Sequence, residues 1–185
     1  MKPKYISKEA ILSVGKETVS QSGINALNMR NIAQKCSISV GSVYNYFPSK
    51  GDLVIATIEA VWQEIIYDSK CCYTKLGFTE NIYYLFKDIQ KGSEKYPSFF
   101  SVHPMGLANM HKKMGREVMH QYFSYMKNGL LTALERDPNV KENVFSDTFT
   151  KSAFVEFIFS NMLTLLMNEK TSCDYVLEIV RRIIY

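Results

Sequence analysis

Apolar residues recur along this chain at three- and four-residue spacing, and no stretch alternates apolar with polar long enough to argue for a sheet. The pattern predicts an all-α protein. The first helix should run from about Ser7 to Ser22, with Ile11, Val14, Gly15, Thr18 and Val19 forming one inward stripe. Ser7 can cap its first turn, Glu9 suits the positive helix end, and Gly23 is a natural terminator. A short second helix follows, capped by Asn28 and running from Met29 to about Cys36, with Ile32 and Ala33 facing in. Ser37 and Ile38 read as a turn. Ser39 then caps a third short helix reaching Tyr46 and stopped by Pro48. Ser49 and Asp52 have the spacing of a capping box and open a fourth, longer helix striped by Leu53, Ala56, Thr57, Ala60 and Val61.

Further helices are expected near residues 79–94, 98–110, 113–135, 143–168 and 172–184, with Gly77, Pro97, Pro138 and Thr171 marking the breaks. The most apolar stretch, Ala153 to Met167, is interrupted by Glu156, Ser160 and Asn161. It is too short and too polar for a membrane span, which needs roughly 20 apolar residues. A helix apolar nearly all round has to be buried on more than one side; a second subunit is the natural cover, the alternative being an internal core helix. This helix and the last one are therefore expected to form a four-helix dimer interface through Phe154, Phe157, Ile158, Met162, Leu165, Val176, Ile179 and Ile183.

Composition adds that a packed core is within reach: 46% of the 185 residues are hydrophobic and 22% charged. The net charge of +4 is small, but its distribution is uneven. Residues 1–50 carry seven cations (Lys2, Lys4, Lys8, Lys16, Arg30, Lys35, Lys50) against Glu9 and Glu17 alone, while the remaining 135 residues are close to neutral. The start has charge but no following apolar run, so it does not read as a secretory signal. Cys36, Cys71, Cys72 and Cys173 form no C-x-x-C pair, and reduced thiols in a cytoplasm are the simplest reading. His103, His111 and His120 lack the i, i+4 spacing of a helical metal site. No nucleophile motif, glycine-rich phosphate loop or paired-carboxylate signature is present. Neither an enzyme, a metal nor a cofactor is expected.

Two short helices joined by a tight turn inside a basic segment pose a helix-turn-helix. Such a pair needs a small residue where its helices cross, which Ala33 supplies, and apolar anchors, for which Ile32, Ile38, Val43 and Phe47 fit. The second helix must start with small or polar residues to enter a major groove deeply, and Ser39, Val40, Gly41 and Ser42 do so. Tyr44, Tyr46 and Lys50 are placed to grip phosphates.

The run from Asn28 to Leu53 resembles the TetR family of bacterial transcriptional regulators: a capped helix with Ile-Ala, a tight turn, Gly-Ser-Val-Tyr, an aromatic pair, then Ser-Lys-Gly-Asp-Leu. The resemblance covers roughly residues 7–61; beyond them only length and helical character match. Ser37 stands where the family has a turn glycine, so a left-handed backbone there would cost something. Gly51 stands in place of a glutamate, and Asn28 in place of a threonine of equal capping power.

The resemblance implies an N-terminal three-helix helix-turn-helix DNA-binding domain, residues 1–50, and a C-terminal helical effector-binding and dimerisation bundle, residues 51–185. It implies that Asn28 and Arg30 open the first helix of the pair, with Arg30 reaching a base edge, guanine by preference. Val40 and Ser42 would meet bases, Gly41 would allow close approach beside Ser39, and Tyr44, Tyr46 and Lys50 would contact phosphates; Asn45 could serve either purpose. Lys2, Lys4 and Lys8 would add an arm without sequence preference, with Lys16 and Lys35 solvated. An effector pocket in the middle helices is implied too, and Met and aromatic side chains suit it: Phe100, His103, Met110, Met114, Tyr122, Met126 and Phe159. The partners would be an operator in double-stranded DNA, a small-molecule effector and a second copy of the chain, with no membrane. The expected protein is thus a ligand-responsive repressor binding a near-palindromic operator as a dimer; the competing reading is a helical protein–protein adaptor that has lost DNA binding.

Overall fold

The computed structural model describes residues 6–68, 76–97 and 111–185, with side chains outside 67–68 and 111–116. The helix expected over 98–110 lies outside these residues. Eight α-helices are described: α1 (Lys8–Ser22), α2 (Met29–Lys35), α3 (Val40–Tyr44), α4 (Lys50–Asp68), α5 (Phe78–Lys95), α6 (His111–Arg136), α7 (Lys151–Met167) and α8 (Asp174–Ile184). There is no strand among the described residues. The chain divides into two compact units, one of residues 1–64 with 93–120, the other of residues 65–92 with 121–185.

In the first unit the local signals of the sequence act as expected. Ser7 accepts the Ala10 N–H at 3.1 Å, and Asn28 accepts that of Asn31 at 2.8 Å. Ile11, Gly15, Thr18 and Val19 are buried along α1. Gly15 is required by packing, because a Cβ there would sit 2.8 Å from the Thr57 hydroxyl on α4. Ser37 has φ 55°, the left-handed conformation that a glycine would adopt without strain. Helix α3 ends at Tyr44 rather than Tyr46. Asn45 caps it, the Tyr46 N–H turns back to the Val43 carbonyl at 3.0 Å, and Phe47 precedes Pro48, which disfavours helical backbone. Ser49 opens α4 by accepting the Asp52 N–H at 3.2 Å, and its hydroxyl donates to the Asp52 carboxylate at 2.8 Å.

The inward face of α4 is broader than the expected stripe. Leu53, Thr57 and Val61 are buried, but so are Val54, Ile58 and Trp62, while Ala56 and Ala60 are half-buried. The alanines mark one edge of the buried face and the large side chains fill it.

In the second unit, the helix expected over 143–168 begins only at Lys151. A turn precedes it, in which the Ser146 and Phe149 backbones exchange two hydrogen bonds, and Thr150 caps the helix by accepting the Ala153 N–H at 3.1 Å. Phe145 and Phe149 stack at 5.9 Å and both meet Phe154, so this turn is an aromatic cluster rather than a helical start.

Most of the proposed dimer residues also need correction: Phe154, Ile158, Met162, Leu165 and Val176 are buried within the single chain. They form the core-facing side of α7 and α8, where Phe154 meets Phe78. Phe157 and Ile179 are exposed, 53% and 41%, and Ile183 is half-buried. The unit is also tied by buried Asp137, whose carboxylate accepts from the Phe78 N–H at 2.8 Å, the Asn139 N–H at 3.0 Å and the Tyr185 hydroxyl. These donors hold Asp137 below the usual carboxylate range against its burial. The same contact, with burial acting first, pushes the Tyr185 phenol up to about 12.

Candidate nucleic-acid interface

The α2–turn–α3 pair is held from beneath by Ile32, Ala33, Val43 and Phe47, all buried, and the Ile38 N–H closes the turn on the Ala33 carbonyl at 3.0 Å. Ser39 caps α3 by accepting the Ser42 N–H at 3.0 Å, and the two serine hydroxyls share a bond of 2.8 Å. Of the five α3 residues only Val43 is buried; Val40 and Ser42 are half-buried, Gly41 and Tyr44 exposed. The helix is therefore fastened along one edge and open along the other.

Gly41 has no internal reason to be glycine. A Cβ there would meet only the Ser39 hydroxyl oxygen, at 3.7 Å, an ordinary contact. Glycine inside a helix costs about 0.8–1 kcal/mol relative to alanine. An exposed glycine with no packing role of its own lets another surface approach the backbone closely.

The cations sort into two groups. Arg30 and Lys50 are exposed and make no hydrogen bond or ion pair among the described residues. Lys16 and Lys35, expected to be merely solvated, have partners. Lys35 donates to the Thr18 hydroxyl at 3.1 Å, and Lys16 pairs with Glu64 of α4. Glu64 also receives Lys95 and the Tyr96 hydroxyl, and its carboxyl lies at about 2: burial opposes its charge, but these three donors outweigh the burial. Nothing in the sequence singled out Glu64, because its partners lie 48, 31 and 32 residues away and meet it only once the helices pack.

Two more expectations change. Asn28 spends its side chain on the fold, accepting from Asn31 and donating to the Ala26 carbonyl at 3.2 Å, so its place is that of a cap. Tyr46 is exposed, but its hydroxyl donates to the Ile6 carbonyl at 2.6 Å and has no proton left for a phosphate. Tyr44 is 49% exposed with no hydrogen bond among the described residues, and Asn45 likewise keeps its side chain free. Arg30, Gly41, Tyr44, Asn45 and Lys50 are thus the residues the fold leaves available, beside Ser39, Val40 and Ser42 at the helix start.

This arrangement is matched by the model of bacterial regulatory proteins of the tetR family over residues 11–57, which span α1 to the middle of α4. Over these residues the chain carries the N-terminal domain of the TetR family. The transcriptional repressor KstR of Rhodococcus jostii is 31% identical over 58 residues, covering 31% of this chain and 27% of that repressor's length. Among solved structures, reduced NemR of E. coli superposes with TM-score 0.65 at 14% identity, covering 96% of both chains. A TetR transcriptional regulator from Legionella pneumophila gives 0.58 at 22% identity, over the whole of both. The all-helical TetR fold thus extends along the chain, although sequence likeness is confined to its first third.

Of the implied effector residues, only three have described side chains. Phe100, His103 and Met110 lie outside the described residues, and Met114 falls on α6 where side chains are not described. Tyr122 is half-buried; Met126 and Phe159 are buried, the Phe159 ring 5.3 Å from Phe123. A polar groove of about 180 Å³ between α6 and α7, lined by Ser124, Lys127, Asn128 and Glu156 among others, includes none of them. Among the described residues no cluster of His, Cys, Asp and Glu could hold a metal, and no helix is long and apolar enough to cross a membrane.

Proposed function

We propose that this TetR-family protein is a DNA-binding transcriptional repressor that acts as a homodimer and releases its operator when a small molecule binds. One observation carries the reading: within the matched segment, α3 and its C-cap leave Gly41, Tyr44 and Asn45 exposed, and Arg30 and Lys50 have no partner among the described residues. Cations and a phenol left free by their own fold suit a polyanion, and an unneeded glycine suits a helix pressed into a major groove. Arg30 reads a base edge; Ser39, Val40 and Ser42 face bases; Tyr44 and Lys50 hold phosphates. Residues 1–50 are the DNA-reading part and residues 51–185 the sensing and dimerising part.

A two-fold dimer would hold its recognition helices about 34–36 Å apart, to meet successive major grooves of a near-palindromic operator. The dimer face is the outer side of α7 and α8, with Phe157, Ile179 and Ile183 from the original set and Met167 and Tyr175 beside them, the last two exposed by 65% and 54%. The effector binds among the middle helices, and α4 carries its influence towards α3; coupling of about 1–3 kcal/mol suffices for induction.

Selection of bound duplexes from a random DNA pool tests the reading. A near-palindromic consensus that the wild type binds and Lys50→Ala binds less well is the expected result. No duplex binding even at low salt, with a protein partner retained, would favour the adaptor instead.

A further inference from the structure

We infer that Glu64 is a positioning residue: by joining α1, α4 and the end of α5 it fixes the stance of the α2–α3 pair, so that the dimer accepts one spacing of operator half-sites. This role rests on the dimeric DNA-binding reading above and adds to it what sets the spacing. The Glu64 carboxylate on α4 receives the Lys16 ammonium from α1, the Lys95 ammonium from the end of α5, and the Tyr96 hydroxyl, the last at 3.1 Å. One turn along α1 from Lys16, the Ser20 hydroxyl donates to the Lys95 carbonyl at 2.7 Å. One edge of α1 is thus bonded both to α4 and to the end of α5. Helix α1 in turn backs the reading pair, since Lys35 at the end of α2 donates to its Thr18 hydroxyl at 3.1 Å.

Folding stability alone does not call for such a junction. Ile11, Gly15, Thr18 and Val19 already bury one side of α1, and ion pairs partly open to water add little to that. What the junction supplies is register. Apolar surfaces tolerate small slips, whereas three donors reach one carboxylate in a single mutual placement of their helices. Helices α4 and α5 both run on into the second compact unit, α4 to Asp68 and α5 from Phe78, and that unit carries the proposed dimer face. The spacing of half-sites mirrors the distance between the two α3 helices of a dimer, so a restraint on α1 is a restraint on spacing. It holds only up to the free energy that breaks it, which for a partly exposed network is about a five-fold ratio.

The test measures affinity by fluorescence anisotropy on three duplexes: the selected operator, the same operator with one base pair added at its centre, and a single half-site. The added base pair moves the half-sites about 3.4 Å further apart and turns them by about a tenth of a helical turn. Wild type is compared with Glu64→Gln and with Ser20→Ala/Tyr96→Phe, which keeps the Lys16–Glu64 pair and the Tyr96 ring. Wild type should prefer the selected spacing, and both variants should reduce that preference about five-fold while binding the half-site as wild type does. The half-site separates positioning from other roles, because a disturbed α2–α3 pair, or a junction that touches DNA itself, would weaken the half-site as well. An unchanged spacing preference in either variant would overturn the inference. So would a loss on the half-site equal to the loss on the operator. Equal binding of both spacings by wild type would instead remove the two-fold operator reading, and this role with it.

Discussion

Helix α3 and helix α7 differ in length, five residues against 17, and still more in what each leaves facing water. Around α3 the outward groups are polar or small: Gly41, Tyr44 and Asn45, with Arg30 and Lys50 nearby in sequence and without partners among the described residues. On α7 the inward side is complete, seven residues being buried, and the outward side carries Phe157, Ser160, Thr164 and Met167; Tyr175 and Ile179 continue the theme on α8. Single exposed apolar residues are ordinary on any protein. Four large ones on two consecutive helices, beside small residues that let another helix come close, are a different matter. The two regions leave different chemistry facing water, polar groups and cations around α3 and apolar side chains on α7 and α8, and each suits a different one of the partners proposed above.

The sharpest way to break this comparison is at Gly41. The fold has room for a side chain there, whereas a major groove has none. Gly41→Leu should weaken binding to the selected operator at least about 100-fold, or 2.7 kcal/mol. Its melting temperature should stay level or rise, because leucine is the better helix former by up to about 0.8 kcal/mol. Anisotropy titration and thermal melting check the two halves. Undiminished binding would show that α3 does not enter the groove.

On the other side, core and interface residues should separate. Phe157→Glu with Ile179→Glu should leave helicity intact and raise the dimer dissociation constant ten- to hundred-fold, about 1.4–2.7 kcal/mol, as read by sedimentation. Ile158→Ala, one residue from Phe157 but fully buried, should instead cost about 2–4 kcal/mol of folding stability. If the glutamates change nothing in sedimentation, the outer face of α7 and α8 is not the dimer contact.

The same contrast explains what could be read without a structure. Caps and breaks act within one turn, so Ser7, Asn28, Ser39 and Ser49 marked their helices correctly, and the order of small, apolar and aromatic positions from Ile32 to Leu53 revealed the motif. Facing was harder. An apolar helix shows no stripe, so the pattern does not tell buried Phe154, Ile158 and Met162 from exposed Phe157. Partners distant in sequence were invisible: Glu64 draws on Lys16 and Lys95, and Asp137 on Phe78 and Tyr185. The Tyr46 hydroxyl belongs with these, since its acceptor lies 40 residues away.

Arg30 and Lys50 sharpen the α3 side of the comparison by about 1–3 kcal/mol or less. Arg30→Ala should relax preference at particular operator positions by that amount, whereas Lys50→Ala should weaken all duplexes alike and lower the salt slope by about 1. Competition with single-base operator variants separates the two. An Arg30→Ala protein with unchanged preferences would move Arg30 from base reading to backbone contact.

The smallest effect concerns the cation the fold has already used. Glu64 lies at about 2 in the folded protein against 4.5 for a free glutamate, so folding favours its charged form. Its contribution is complete above about pH 4.5 and drains away as pH falls towards 2, where the folded form too takes up a proton. The pair is partly open to water, with Glu64 21% and Lys16 27% exposed, so the contribution amounts to about 1–2 kcal/mol. Glu64→Gln should remove that amount at pH 7, lose less than wild type between pH 4.5 and 2, and leave the salt slope of DNA binding untouched. Lys50→Ala should do the reverse, with an unaltered pH–stability curve and a flattened salt slope. Urea melts across pH 2–7 compare the two directly. If Glu64→Gln alone flattened the salt slope, Lys16 would have to be counted with the DNA-facing cations rather than with the packing of α1 on α4.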